Sequence, residues 1–276
     1  MKLFLKTKDF SVSKEDFELH LDEDLDMLVT SPQPENSAAY YESEDYISHT
    51  DSKKSFTDKL YQAVKQKNLR NKIQLVDNQE IKLKSLLDIG AGTGDFLVLV
   101  KSKGYEVAGV EPNEGARQLA LQKGVALEPK LDRFSGTKFQ TITLWHVLEH
   151  LPNLQDQIND ITSLLEEEGT LIIAVPNFRS FDAKHYGTYW AGYDVPRHLW
   201  HFSKTSITKL FDPHGMEVVS IRPMWFDAFY VSMLSEKYKG NKFYLISSFF
   251  VGLWSNLAAM FSKEHSSLIY ILKRKK

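Results

Sequence analysis

The sequence predicts an α/β fold: a doubly wound, mostly parallel sheet of seven strands with helices on both faces, preceded by a small N-terminal hairpin segment. Three observations carry this expectation. Short apolar runs alternate with amphipathic stretches from residue 85 to residue 175, the pattern of parallel strands joined by crossover helices. Glycines stand where the helical stretches stop, at Gly104, Gly124 and Gly169. A glycine-rich turn, Gly90-Ala-Gly-Thr-Gly94, follows the first apolar run, where a strand hands over to a helix.

The elements follow in chain order. Residues 1–39 are acidic, contain alternating runs such as Phe17-Glu-Leu-His-Leu21 and end at Ser31-Pro-Gln-Pro34, so they read as a hairpin and linker ahead of a main domain over 40–276. Phe56, Leu60 and Val64 have helical spacing. Strands are expected over 85–89, 105–110, 125–127, 139–145 and 170–175. Helices are expected over 95–103 and 114–123, and a third one is capped by Asn153 with Asp156 at the capping-box position and ended by Gly169. The rhythm breaks after Pro176. Residues 177–202 are aromatic-rich and irregular, which reads as a lid or acceptor region, with further acceptor elements over about 223–262. A helix over 203–214 and strands over 216–222 and 267–273 complete the chain.

Composition narrows the function classes. The chain has 276 residues, 42% hydrophobic and 25% charged, and a net charge of -2. That is an ordinary soluble composition, with no global field favouring nucleic acid. The absence of cysteine excludes disulfides, thiolate zinc sites and a cysteine nucleophile, and fits a cytoplasmic location. Charge is uneven: residues 236–276 hold eight basic and two acidic side chains. Residues 243–261 carry no charge, and Lys242 and Lys263 flank them. Ser248, Gly252, Ser255 and Asn256 mark one small, polar face of that stretch. A helix packed on its own protein explains such a face better than a membrane span does, with interfacial membrane contact as the less favoured reading. Oligomeric state is not legible.

A glycine turn lets the backbone approach a ligand and aims a helix N-terminus at it. A carboxylate at the end of the next strand suits ribose hydroxyls, and Glu111 stands there, 21 residues after Gly90. A nicotinamide dinucleotide site usually shows G-x-G-x-x-G. Here the pattern is G-x-G-x-G, with Asp95 in place of the last glycine and Asp88 just before the turn. Both carboxylates disfavour a pyrophosphate, whereas Asp88 suits the ammonium of an amino-acid-bearing ligand, directly or through water.

On these residues the chain resembles the class I S-adenosylmethionine-dependent methyltransferases, over roughly residues 40–273. Leu86-Leu-Asp-Ile-Gly-Ala-Gly-Thr-Gly94, Val110-Glu-Pro112, Leu144-Trp-His-Val-Leu-Glu-His-Leu-Pro152 and Leu171-Ile-Ile-Ala-Val-Pro-Asn177 match that family's motifs in order. Asp194-Val-Pro-Arg-His-Leu-Trp-His-Phe-Ser203 is similar to a bacterial subgroup related to ubiquinone-type O-methyltransferases. The resemblance implies a Rossmann-like sheet closed by a final antiparallel strand. It implies S-adenosylmethionine as donor and S-adenosylhomocysteine as product. Asp88, Gly90, Ala91, Gly92, Gly94, Glu111 and Pro112 would bind the donor, Trp145 and His146 would wall it, and Tyr41 would fold over it.

In ubiquinone-type relatives the position of His146 in the His146-x-x-Glu149-His150 pattern holds a Glu, and there the cluster can bind magnesium. With histidine in that place, no metal is assigned. The sequence expectation is methyl transfer to a small aromatic or lipid-like acceptor, with O-methylation favoured. A base then takes the hydroxyl proton, and His198 or His201 is the first choice and His150 the next. Simple packing of His198 and His201 against their aromatic neighbours is the competing reading. No basic stripe adjoins the cleft, so nucleic acid is not the expected partner. The rival functions are an NAD-dependent oxidoreductase of the same architecture and a non-catalytic donor-binding protein.

Overall fold

Strand β4 (Ser85–Ile89) shows how the main sheet is buried. Leu86 and Leu87 are both fully buried, yet they point into different cores. Leu87 packs with Ile142, Leu144, Leu171 and Ile173, while Leu86 packs with Phe96, Leu97, Val100 and Ile172. A strand covered on both faces must be apolar at successive positions, and this is why the run is continuous rather than alternating. The computed structural model describes residues 1–34, 40, 56–79 and 83–276.

The remaining elements, in order, are β1 (Lys2–Lys8), β2 (Asp16–Asp22), β3 (Met27–Ser31) and helix α1 (Phe56–Asp77) before β4. After it come α2 (Asp95–Ser102), β5 (Glu106–Val110), α3 (Glu114–Gln122), β6 (Phe139–Trp145), α4 (Leu154–Ser163) and β7 (Leu165–Pro176). The chain closes with α5 (Phe181–Tyr186), β8 (Trp200–His201), α6 (Lys204–Phe211), β9 (Met216–Pro223), α7 (Asp227–Tyr238), α8 (Tyr244–Ser262) and β10 (Ser267–Arg274).

The main sheet runs β5-β4-β6-β7-β10-β9. The β5-β4-β6-β7 pairs are parallel, and β10 is antiparallel to both neighbours. The expected mostly parallel sheet with a late antiparallel strand is present, with six strands among the described residues. The strand expected over 125–127 contracts to one parallel bridge, Val110 to Glu128. Val125 is used instead as core beneath α2.

Three local expectations are corrected. Asn153 does precede α4, but in the left-handed region (φ 49) with no side-chain cap bond. An N-cap side chain reaches the first turn from extended backbone, so no capping box forms with Asp156. Gly169 lies inside β7 rather than ending the helix, because Leu165 already pairs with Phe139. The N-terminal hairpin is a three-stranded antiparallel meander, and β8 extends it into a second sheet, β1-β2-β3-β8.

That second sheet explains residues 177–202. Phe17, Leu19 and Leu28 from the small sheet share a core with Phe178, Tyr186, Trp190 and Tyr193. The aromatics expected to line a lid or pocket are consumed as packing, since a three-stranded meander needs an apolar partner layer to be stable. Arg197 fixes the junction. It is nearly fully buried and bonded to Asp9 and Asp194, with further bonds to Ser11 and the Tyr40 carbonyl. Asp9 also accepts the backbone N–H of Ser11, Val12 and Ser13. Burial raises the Asp9 pKa, but Arg197 and those N–H groups outweigh it, so the carboxyl stays ionised far below its ordinary range.

Candidate functional site

The strand-to-helix turn after β4 is built by backbone alone. Gly90, Gly92 and Gly94 all have positive φ. The N–H groups of Gly90 and Ala91 both bond the Val110 carbonyl, at 2.8 and 2.9 Å. A Cβ on Gly90 would lie 2.3 Å from Val147 Cγ2, so side chain and conformation both exclude any other residue. Glu111 faces the turn at the end of β5. Its Oε2 accepts the Gly92 N–H at 2.8 Å and its Oε1 accepts the Asn113 N–H at 2.9 Å. Each oxygen has acceptor capacity left, which suits a vicinal diol. Pro112 follows, with its carbonyl held by Arg117.

Asp88 sits behind the turn and is buried, accepting the Thr143 hydroxyl at 2.6 Å. Burial pushes its pKa up to about 7, against the pull of Thr143 and of Lys72. Lys72, on α1, was not expected. Its ammonium lies 4.5 Å above the Trp145 ring, where burial lowers its pKa despite Asp88 and Asp227. Trp145 is packed edge-on against Phe96. Lysine on α1 carries no local motif, and only the crossing of α1 over the end of β6 brings it here. Asp95, at the start of α2, is neutralised by Lys65 and Lys123, each at 2.7 Å. Its role is therefore to tie helices together, and the electrostatic case against a pyrophosphate rests on Asp88.

A second cluster begins next to Val147, which touches Gly90. His146 adopts φ 58, which turns its ring between two carboxylates. Nε2 is 3.1 Å from Asp227 and Nδ1 is 3.4 Å from Glu149. Burial lowers its pKa, but the two carboxylates outweigh burial and lift it to about 10. His146 is thus a fixed imidazolium at neutral pH. Asp227, at the start of α7, is the other residue the sequence did not reveal.

Glu149 is almost fully buried, and neither of its oxygens accepts a hydrogen bond. One ligand atom from each of Glu149, His150 and His198 lies within 4.8 Å of the other two. His150 Nδ1 stands 3.0 Å from the Arg197 carbonyl, and His198 Nδ1 stands 3.0 Å from the Gly192 carbonyl. A carbonyl only accepts, so both Nδ1 atoms carry the proton, and in the neutral rings the lone pair is on Nε2. Burial, reinforced by His198, lowers the His150 pKa to about 4.

His201 stands apart. Thr30 donates its hydroxyl to the His198 carbonyl at 2.6 Å and lies 3.0 Å from His201 Nε2. With the hydroxyl proton spent on the carbonyl, His201 Nε2 is the donor to Thr30, which leaves it no lone pair there. Burial holds its pKa well below the ordinary value. The structure therefore brings His198 and His150 together with Glu149, and gives His201 the task of positioning the His198 backbone. Tyr41 lies outside the described residues.

Comparison with known proteins agrees with this geometry. A family model described as a methyltransferase domain matches residues 58–221. The C-methyltransferase NovU of Streptomyces niveus is 25% identical over 152 residues, which cover 49% of this chain and 33% of that protein. The ubiquinone biosynthesis O-methyltransferase of Azoarcus sp. (strain BH72) is 23% identical over 52% of this chain and 69% of its own length. The chain thus spans only a third of the first relative. The magnesium protoporphyrin IX methyltransferase of Synechocystis PCC 6803, crystallised with bound S-adenosylhomocysteine, shares the fold at a TM-score of 0.57 and 15% identity, over 86% of this chain and 97% of that one. With more than half of its 276 residues inside the matched domain, and a carboxylate facing the glycine turn, the chain belongs to the class I S-adenosylmethionine-dependent methyltransferases.

Proposed function

We propose that the chain transfers the sulfonium methyl of S-adenosylmethionine to a hydroxyl of a small, aromatic or lipid-like acceptor. One observation carries the donor half: Glu111 is held beside the turn by the N–H groups of Gly92 and Asn113, and each of its oxygens has acceptor capacity left. The ribose diol binds there, and Asp88 takes the donor's ammonium while Lys72 takes its carboxylate. The reaction is an in-line displacement. The acceptor oxygen bonds to the methyl carbon, the carbon–sulfur bond breaks, and S-adenosylhomocysteine leaves. Alignment supplies most of the rate, worth about 7–11 kcal/mol where the geometry is right.

The hydroxyl proton passes to His198 Nε2. His150 is a poor base at neutral pH, because burial and the neighbouring His198 hold its pKa at about 4. Glu149 stabilises the imidazolium that forms, just as the three imidazoles hold the Glu149 pKa below its ordinary value against burial. Thermal shift with S-adenosylhomocysteine against NADH tests the donor. Stabilisation by the former alone is expected, and stabilisation by NADH alone refutes the proposal. Turnover of labelled S-adenosylmethionine with an extract of small molecules then tests catalysis, and its loss in His198→Gln with donor affinity intact tests the base.

A second reading of the same cluster is favoured by Glu149 and its unbonded oxygens. Two imidazoles fixed by Nδ1–H bonds to carbonyls and one buried carboxylate form a donor set for a divalent ion. Nitrogen-rich ligation suits zinc, manganese or iron better than the magnesium implied by the ubiquinone-type resemblance. Such an ion, when bound, polarises an acceptor oxygen.

A further inference from the structure

Helix α8 is amphipathic the wrong way round. A helix on a soluble protein turns its large apolar residues inward. In α8 the inward face is Ser248, Gly252, Ser255, Asn256 and Ala259, all buried. The small polar stripe does pack on the protein, as its composition suggests. A Cβ on Gly252 would stand 2.8 Å from the Phe229 ring, so α7 and α8 lie in close contact there. Ser255 donates to buried Asp182 at 2.7 Å, and Asn256 donates to the Trp225 carbonyl at 2.9 Å. Asp182 also accepts Trp190 Nε1 and the Ser266 hydroxyl.

The outward face is Ile246, Phe249, Phe250, Leu253, Trp254 and Leu257, at the i, i+3, i+4, i+7 spacing of one helical stripe. All are exposed, Phe250 at 62% and Trp254 at 60%. Phe243 and Phe261 extend the stripe at its two ends, at 72% and 90% exposure. Over 19 residues, roughly 28 Å at ~1.5 Å per residue, this is one continuous apolar ridge, well beyond the scattered exposed residues of an ordinary surface.

Charge names what covers it. Lys237, Lys239 and Lys242 are exposed at one end of the ridge and Lys263 at the other. The acidic residues of the region are turned away. Glu236 is buried with Tyr186 and Asn241, Asp227 is paired with His146, and Glu264 with Lys204. Two copies meeting on this ridge would bring lysines together with no carboxylate among the described residues of the patch to pair them. An anionic lipid surface supplies both the apolar layer and the negative charge. The inward bonds of α8 keep it attached to the domain, so it lies along the interface rather than spanning the bilayer.

We propose that α8 is a membrane-docking helix, its Phe250–Trp254 ridge seated among the acyl chains of an anionic bilayer with its flanking lysines at the phosphates. This does not depend on the identity of the acceptor. The test is co-sedimentation of the full chain with phosphatidylcholine vesicles, with and without phosphatidylglycerol, read together with tryptophan fluorescence. Expected are binding to the anionic vesicles, a blue shift that Trp254→Phe removes while binding persists, and at least tenfold weaker binding for a Phe250→Asp, Leu253→Asp double variant. Lys242→Ala and Lys263→Ala each weaken binding roughly fivefold. The double variant must keep its thermal shift with S-adenosylhomocysteine, which shows that it is folded. The proposal is overturned if the chain stays in the supernatant with anionic vesicles, if neutral vesicles bind it equally, or if light scattering shows a dimer that the double variant abolishes while vesicles are ignored.

Discussion

Replacing Glu111 with alanine removes the carboxylate that two backbone N–H groups hold in front of the glycine turn. Hydrogen bonds to a charged acceptor contribute about 1.5–3 kcal/mol each. Glu111 is half-buried, so the lower end applies to each of the two ribose hydroxyls it would accept. The sum is about 3 kcal/mol, or roughly 150-fold in Kd at ~1.4 kcal/mol per decade. The same substitution strips Gly92 and Asn113 of their acceptor. Water reaches that rim, so the stability cost is small, about 1 kcal/mol or ~2–4 °C in Tm for a domain of this size. Calorimetric titration with S-adenosylhomocysteine measures the first effect and thermal melting the second. Glu111→Gln keeps one acceptor oxygen but sets an NH2 against the other backbone N–H, so it falls between wild type and alanine. A Glu111→Ala protein with a native circular-dichroism spectrum that binds S-adenosylhomocysteine within threefold of wild type would refute the ribose assignment.

Three further outcomes follow from the same geometry. Lys72→Met removes the ammonium above Trp145 and weakens S-adenosylhomocysteine binding about tenfold if it pairs with the ligand's carboxylate; unchanged or tighter binding in the same titration shows that Lys72 only screens Asp88. Because burial sets the Asp88 pKa at about 7, S-adenosylhomocysteine affinity should rise severalfold from pH 6 to pH 8 as the carboxylate ionises, and Asp88→Asn should flatten the profile. Asp182→Ala leaves three buried donors, on Trp190, Ser255 and Ser266, without their acceptor; this costs about 3 kcal/mol or more, seen as a fall in Tm of roughly 6–12 °C, and a fall under 2 °C would mean the network is not holding α5, α8 and β10 together.

What was legible in the sequence depended on whether a residue's task was local. The glycine turn and Glu111 were readable because strand, turn, helix and next strand are contiguous, and their spacing alone sets their geometry. Strands β4 and β10 and the second half of β7 were readable because they are buried on both faces and written as apolar runs, whereas β9 is an edge strand exposed along most of its length. The strand at 125–127 misled because Val125 serves a helix-facing core and needs no ladder. The aromatics of residues 177–202 misled for a related reason. An acceptor pocket and a core layer use the same side chains, and only the N-terminal meander decides between them. Lys72, Asp182 and Asp227 were invisible because each acts on partners far away in the chain, with no motif around it. His198 and His201 have equal claims in sequence, and one hydroxyl, that of Thr30, separates them. The inverted polarity of α8 was half legible: its small face was found, but the number of its large residues left uncovered is a property of the folded chain.

His146 joins the two parts of the molecule that matter most, since Asp227 opens the helix on which α8 packs and Glu149 belongs to the histidine cluster. Its pKa of about 10 is higher in the folded chain than the ~6.5 of an unfolded histidine. The stability it contributes is therefore complete below pH 6.5 and is lost progressively as pH rises toward 10. Asp227→Asn removes the nearer carboxylate. The remaining one, at 3.4 Å without a well-formed hydrogen bond, opposes burial alone, so the His146 pKa should fall. Histidine ring resonances followed by NMR across pH 6–10 measure this directly. In the wild type His146 should stay charged through pH 8. In Asp227→Asn it should lose its proton at lower pH, and with it the counter-charge that keeps buried Glu149 ionised beside His198. If the two titrations coincide, Asp227 does not hold His146, and the link from α7 to the histidine cluster is absent.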